Sequence, residues 1–158
     1  MNADPVLSAE AIVEVSLDQA RAWFLSLADH PERYQFETHG GFTFTEGRFG
    51  EPGARFRTEE RFLGIPVPLR FELTKVERRR FTFHLRKPLS SIWGYFELAP
   101  MPSGATELRL AIGSDKRAKR LFLKLPPVSH AVRRQIEAEV ANIKGSMESL
   151  YKEETWAS

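Results

Sequence analysis

The residue best placed to do chemistry is Glu60. It lies in the run Arg55-Phe56-Arg57-Thr58-Glu59-Glu60-Arg61-Phe62, where two kinds of side chain alternate. In an extended strand alternate side chains share a face. Glu60 therefore sides with Phe56, Thr58 and Phe62, while Arg55, Arg57, Glu59 and Arg61 take the other face. A carboxyl among aromatic rings has its ionised form disfavoured by desolvation. Such a group can act as a general acid or base, or hydrogen-bond a ligand hydroxyl. A slip of register or a bulge would return it to solvent, and an arginine partner would make it an ion pair. Tyr95 is the second candidate. Its strand has two apolar faces, one with Trp93 and Tyr95, the other with Ile92, Gly94, Phe96 and Leu98. Turned inward, the Tyr95 phenol is a polar contact for a ligand; turned outward, the pair covers the outer surface of the sheet. Gly94 marks a bulge or a close approach of another group.

Other chemistries find no support. The four histidines, His30, His39, His84 and His130, show no metal-ligand spacing, and there is no cysteine. No metal site and no thiolate chemistry follow. There is no glycine-rich phosphate loop and no catalytic triad to argue from sequence, so no cofactor is implied. A net charge of +2 with mostly interspersed charges does not point to a nucleic-acid partner. The exception is the segment 116–125, which combines Lys116, Arg117, Lys119, Arg120 and Lys124 with Leu121, Phe122, Leu123 and Leu125. Such a basic amphipathic segment suits peripheral contact with an anionic membrane, or else serves as a solvated connector whose apolar residues cover a cavity edge.

These residues need elements to hold them. Near the C-terminus Val132, Ile136, Val140, Ile143, Met147 and Leu150 recur at helical spacing, which predicts a long amphipathic helix over 128–153. Its apolar stripe must be covered, and the preceding alternating segments are the cover. The reading in order is a strand over 12–17, a helix from Gln19, and a proline-led helical turn over 31–34. Strands then follow around Phe42 and Phe44, over 56–62, 69–74, 81–86, 92–98 and 106–112. Residues 64–68, with two prolines, read as a turn. A short basic helix over 116–123 follows, and Pro126-Pro127 separates it from the long helix. With 158 residues the chain is most simply one domain with its core over 9–152. No apolar run approaches the ~18 residues of a membrane span. The N-terminus lacks the features of a signal peptide, and the absence of cysteine accords with a cytoplasmic setting. The twelve phenylalanines, mostly on alternating segments, imply a thick core or a greasy cavity.

This order of elements resembles the helix-grip fold of the START/Bet v 1-like superfamily, also called SRPBCC or polyketide cyclase/dehydrase-like. The residues 22–29, Ala-Trp-Phe-Leu-Ser-Leu-Ala-Asp, are similar to the family's first helix and the aspartate that ends it. Gly53-Ala54-Arg55-Phe56 resembles a strand entry of the family. Phe96-Glu97-Leu98-Ala99-Pro100 with Gly104-Ala105-Thr106-Glu107-Leu108 resembles its penultimate hairpin. Where many members carry a tryptophan after the second short helix, this chain has Tyr34-Gln35-Phe36. The resemblance implies an α+β fold with a curved antiparallel sheet wrapped around a long C-terminal helix, and two short helices after the first strand.

It also implies a cavity between sheet and helix that takes a hydrophobic small molecule or lipid. The expected ligand-binding residues are Phe56, Thr58, Glu60, Phe62, Phe71, Leu73, Phe83, Phe96 and Leu108 from the sheet. Val140, Ile143 and Met147 face them from the helix. The expected function is carriage or sequestration of that ligand. One alternative is a cyclase- or dehydratase-like enzyme in the same cavity, with Glu60 or Tyr95 moving protons. A further alternative is a membrane- or protein-interaction module acting through the basic segment. The sequence assigns no oligomeric state.

Overall fold

The computed structural model describes residues 4–36, 39–62, 64–87 and 89–157. The chain runs β1 (Leu7–Val13), α1 (Leu17–Ser26), a 3₁₀ turn (Pro31–Tyr34), β2 (His39–Glu46), β3 (Arg55–Phe62), β4 (Ile65–Val76), β5 (Arg80–Leu85), β6 (Ile92–Pro100) and β7 (Thr106–Ser114). Two further helices end it, α2 (Arg117–Lys124) and α3 (Pro126–Ala157). The strands form one curved antiparallel sheet in the order β1-β7-β6-β5-β4-β3-β2. Every neighbouring pair except β1–β7 is also consecutive in sequence, and the long return of β1 to β7 brings the chain's two ends together. α3 lies across the concave side of the sheet, in contact with β1, β7 and β3.

Local chemistry places the boundaries. The first strand is earlier than expected, Leu7–Val13 rather than 12–17, because Ser16 begins a helix instead of ending a strand. Its Oγ accepts from the Gln19 backbone N–H at 3.1 Å, and the Gln19 side chain accepts from the Ser16 N–H at 3.0 Å. That reciprocal capping box starts α1 directly. The stretch read as a turn, 64–68, is the start of β4. Its prolines are tolerated because β5 pairs with β4 only from Phe71 onward, leaving Ile65 to Leu69 at a free edge. Pro126 and Pro127 do not precede α3 but form its first turn, where a missing N–H costs nothing.

Two regions separate beneath α3. Under its second half the space is filled. Trp23 and Phe24 of α1 wedge between sheet and helix, fully buried against Val13, Leu73, Phe81, Leu98, Leu108, Ile143 and Met147. The Trp23 Nε1–H donates to Ser146 Oγ at 3.1 Å and pins α1 to α3. Phe24 packs on Phe81 and Phe96 with ring centroids 5.2 and 5.0 Å away. Among the described residues no comparable helix lies under the first half of α3, and that is where the site forms.

Gly94 sits on the concave face at a close approach rather than a bulge. A Cβ there would come 2.6 Å from the Phe83 ring and 2.8 Å from the Ala111 carbonyl. Its missing side chain lets the Phe83 ring lie down over β6.

Candidate functional site

The site is a cavity of about 550 Å³ between the concave sheet face and residues 127–139 of α3. Alternation along each strand delivers its walls. From β3 come Phe56, Thr58 and Glu60, and from β4 Val67, Leu69 and Phe71. Phe83 and Leu85 of β5, Ile92 and Phe96 of β6, and Leu110 and Ile112 of β7 continue the same surface. The intervening residues Arg55, Arg57 and Glu59 face away. Arg55 Nε donates to Glu72 Oε1 at 2.9 Å on that outer surface. The period of two in β3 therefore does what its sequence pattern requires.

α3 supplies the roof through Val128, Ala131, Val132, Gln135, Ile136 and Glu139, a stripe at helical spacing. Phe122 and Pro127 line the cavity and are also exposed, so they mark its mouth, beside α2. The other end is closed. There Tyr34, Thr58, Glu60, Gln135 and Glu139 are all buried among aromatic rings. Twelve residues separate Pro127 from Glu139, so mouth and closed end lie about 18 Å apart along the helix axis.

The closed end carries a chain of hydrogen bonds. Glu139 bonds to Glu60, and Tyr34 bonds to Glu139. Burial first, then the charge of Glu60 and the hydrogen bond to it, hold the Glu139 carboxyl well above its ordinary value. Tyr34 opposes this weakly by donating to Glu139. Burial, then the charges of Glu139 and Glu60, push the Tyr34 phenol well above its usual range as well. Glu139, Glu60 and Tyr34 thus form one hydrogen-bonded group in which burial and the neighbouring carboxyl favour the protonated form of Glu139. Chemically this places two carboxyls and a phenol at the buried end of an otherwise apolar chamber. Thr58 adds a hydroxyl whose Oγ1 is buried without a hydrogen-bond partner among the described residues.

Of the residues expected at the site, Phe56, Thr58, Glu60, Phe71, Phe83 and Phe96 come together on the cavity wall. Leu73, Leu108, Val140, Ile143 and Met147 do not line it. They are buried in the dry core, because α1 fills the space beneath that half of the helix. Phe62 ends β3, and its side chain lies outside the described residues.

Tyr95 is placed on the opposite face of the sheet, away from the cavity. Its ring stacks on Trp93 at 6.2 Å, with the Arg80 guanidinium 4.1 Å from its centroid, while Trp93 Nε1–H donates to Asp115 Oδ1 at 3.1 Å. Ile92 and Phe96 take the inward face instead, because Gly94 between them is the position Phe83 requires. Sequence reasoning missed apolar lining residues such as Val67, Leu85, Ile112 and Ile136, and the polar ones Tyr34, Gln135 and Glu139. The signal for two of them was present: Gln135 and Glu139 interrupt the apolar helical face beside Ile136 and Val140.

At the level of sequence, no family model and no curated protein matches the chain. Solved structures do. Ara h 8.0201 superposes with a TM-score of 0.63 at 13% identity, over 90% of this chain and 97% of that one. The KanY protein gives a TM-score of 0.66 at 14% identity, over 94% and 99%. The major latex-like protein 151 of Panax ginseng gives 0.56 at 14% identity, over 81% and 94%. Identities this low speak to fold rather than activity. The chain has the helix-grip fold of the START/Bet v 1-like superfamily.

Proposed function

We propose that the protein binds a hydrophobic small molecule or lipid in this cavity and sequesters it from water. The observation that carries the reading is the cavity itself. Its volume of about 550 Å³ lies within the ~300–1,000 Å³ of typical ligand sites. Its lining is mostly apolar, and its exposed lining residues Phe122 and Pro127 lie at one end. Apolar ligand area buried there contributes ~25 cal/mol per Å². Phe56, Phe71, Phe83 and Phe96 supply aromatic contact from the sheet, and Ile136 closes the roof. A cytoplasmic setting belongs to this reading, supported by the absence of cysteine.

Native mass spectrometry of gently purified protein, followed by organic extraction, tests it. The expected result is a stoichiometric apolar adduct, or one acquired from a library of hydrophobic compounds. A protein mass that stays clean against the whole library would refute the reading. The cyclase- or dehydratase-like alternative uses the same chamber, with Glu60 moving protons. It gains support only if the bound compound is converted and Glu60→Gln stops conversion while binding persists.

A second reading concerns exchange of the ligand at a membrane, and a separate observation favours it. Leu121, Phe122 and Leu125 are each more than half exposed at the cavity mouth, at 56%, 52% and 52%. Around them lies a stretch without a single acidic residue between Asp115 and Glu137, carrying Lys116, Arg117, Lys119, Arg120, Lys124, Arg133 and Arg134. An apolar ridge ringed by cations fits an anionic bilayer, where each basic residue contributes about 1 kcal/mol. Reversing Lys116, Arg117, Lys119 and Arg120 to glutamate is expected to lower binding to phosphatidylglycerol vesicles more than about 100-fold. Arg120 also donates to the backbone carbonyls of Asp4 and Ser114, so a melting curve accompanies the assay. Unchanged vesicle binding would remove the membrane reading.

A further inference from the structure

The outer face of the sheet, behind the cavity, carries three arginines in one cross-strand row. Arg57 of β3 stands in register with Arg70 of β4. The Arg86 N–H donates to the Arg70 carbonyl at 2.8 Å and continues the row just beyond the end of β5. Their chain neighbours Phe56, Thr58, Leu69, Phe71 and Leu85 line the cavity, so the three arginines project from the other side. Arg57 and Arg70 are exposed and Arg86 is half-buried. Neighbouring strands lie ~4.8 Å apart, which makes the row about 10 Å long.

Elsewhere on this face the charges are matched. Arg55 donates to Glu72 Oε1 at 2.9 Å and lies 3.4 Å from Glu46 Oε2. Arg80, Glu97, Arg109 and Glu10 alternate in sign across four strands in register. The row of Arg57, Arg70 and Arg86 has no such match. Among the described residues none of the three makes an ion pair or a side-chain hydrogen bond. Thr43 stands opposite Arg57 at the β2 end of the row. On one flank are His84 and Glu72, the latter engaged by Arg55; on the other, Glu59 lies opposite Pro68, with Arg61 beyond it. Like charges directly opposite one another destabilise a sheet, and an anion laid along the row removes that repulsion.

The chemistry of the anion follows from the side chains. All three are arginines, whose planar forks take phosphate oxygens two at a time, where a lysine offers only a point charge. Three forks call for about six oxygens, more than a single phosphate presents. The carboxylates of Glu59 and Glu72 on the flanks hold the footprint to the row itself and disfavour a long polyanion lying along the strands. We infer that the row Arg57, Arg70 and Arg86 is a second binding site, separate from the cavity, for a compact polyvalent phosphate: a short condensed phosphate chain or the di- or triphosphate of a nucleotide. The row needs nothing from the cavity behind it, so it stands whether or not the cavity holds a ligand.

Calorimetric titration with inorganic tripolyphosphate at neutral pH and low ionic strength tests this. Two charge-matched variants accompany wild type. Arg57→Gln/Arg70→Gln removes two charges from the row, and Lys116→Gln/Arg117→Gln removes two from the basic segment at α2. The row variant is expected to weaken binding at least about tenfold, and the α2 variant less than about twofold. Inorganic monophosphate is expected to bind wild type at least about tenfold more weakly than tripolyphosphate. In thermal melts tripolyphosphate should raise the Tm of wild type but not that of the row variant. Without the anion the row variant should melt no lower than wild type, because the repulsion is gone, and this also reports an intact fold. A nucleoside triphosphate that binds more tightly than tripolyphosphate assigns a nucleotide as the source; one that does not assigns the phosphate chain alone. If tripolyphosphate fails to bind, or if the α2 variant loses as much affinity as the row variant, the row is not the site and the inference is overturned.

Discussion

Glu139→Gln is expected to make the protein more stable than wild type at neutral pH and no different from it in acid. Glu139 is buried, at 6% exposure, and faces Tyr34 from the 3₁₀ turn and Glu60 from β3, with Gln135 one turn earlier on its own helix. Glutamine keeps the shape and both hydrogen bonds, since its amide donates to Glu60 and its carbonyl accepts from Tyr34. What it removes is the titration. Burial and the Glu60 carboxyl raise the folded-state value of Glu139 above its ordinary 4.5. The folded protein therefore holds this proton more tightly than the unfolded chain. The stability it contributes is fully present below pH 4.5 and is lost as pH rises through the folded-state value. Each pH unit of elevation corresponds to about 1.4 kcal/mol.

Thermal melts from acid to mildly alkaline pH measure this directly. The two curves of Tm against pH should coincide at the acid end and separate as pH rises, with the variant above. A constant offset between them, or a variant that falls below wild type at high pH, would mean that Glu139 does not hold the proton. Tyr34→Phe provides a companion measurement. It deletes the donor that lowers the Glu139 value, so the wild-type slope should steepen.

Ala131→Trp is expected to abolish ligand uptake without harming the fold. Ala131 lies on the roof between the mouth at Pro127 and the closed end at Glu139, half-buried and lining the cavity. An indole placed there projects into empty space rather than into packed neighbours. Overpacking, which would cost about 1–3 kcal/mol in a filled core, is avoided here, and filling a void tends to stabilise. Naphthalene affinity should fall about 100-fold or more, while Tm holds or rises. The comparison that gives this its force is Ile143→Trp, in the dry half of the same helix face. There no space exists, and the expected result is a destabilised protein. If Ala131→Trp binds naphthalene like wild type, the bound molecule lies somewhere other than this cavity.

The elements of the fold were legible because each rests on a period short enough to be read locally. The alternation through Phe56, Thr58 and Glu60 and the helical stripe from Val132 to Leu150 are both nearest-neighbour patterns, and the structure preserves both. The proline-led turn at Pro31–Tyr34 was legible for the same reason, since proline at a first helical position acts within one turn. Boundaries failed where a remote partner decided them. The prolines of β4 are acceptable only because β5 stops short of them, and Ser16 caps a helix rather than closing a strand.

The site divides along the same line. By itself the sequence determined which strand faces carry the aromatic rings, that Glu60 shares the inner one, and that a long apolar helix must cover them. Only the tertiary structure decided where along that helix the space stays open. Val132 and Ile136 look no different from Ile143 and Met147 in a list of apolar positions. Trp23 and Phe24 fill the gap beneath the latter pair, and nothing comparable reaches the former. The tertiary structure also turned Tyr95 outward, because Gly94 is needed beneath the Phe83 ring and its neighbours must then face the other way. Finally, it brought Tyr34, Glu60 and Glu139 into one hydrogen-bonded chain from three separate elements. Periodicity says which way each side chain points; only the packing of elements against one another says what it meets there.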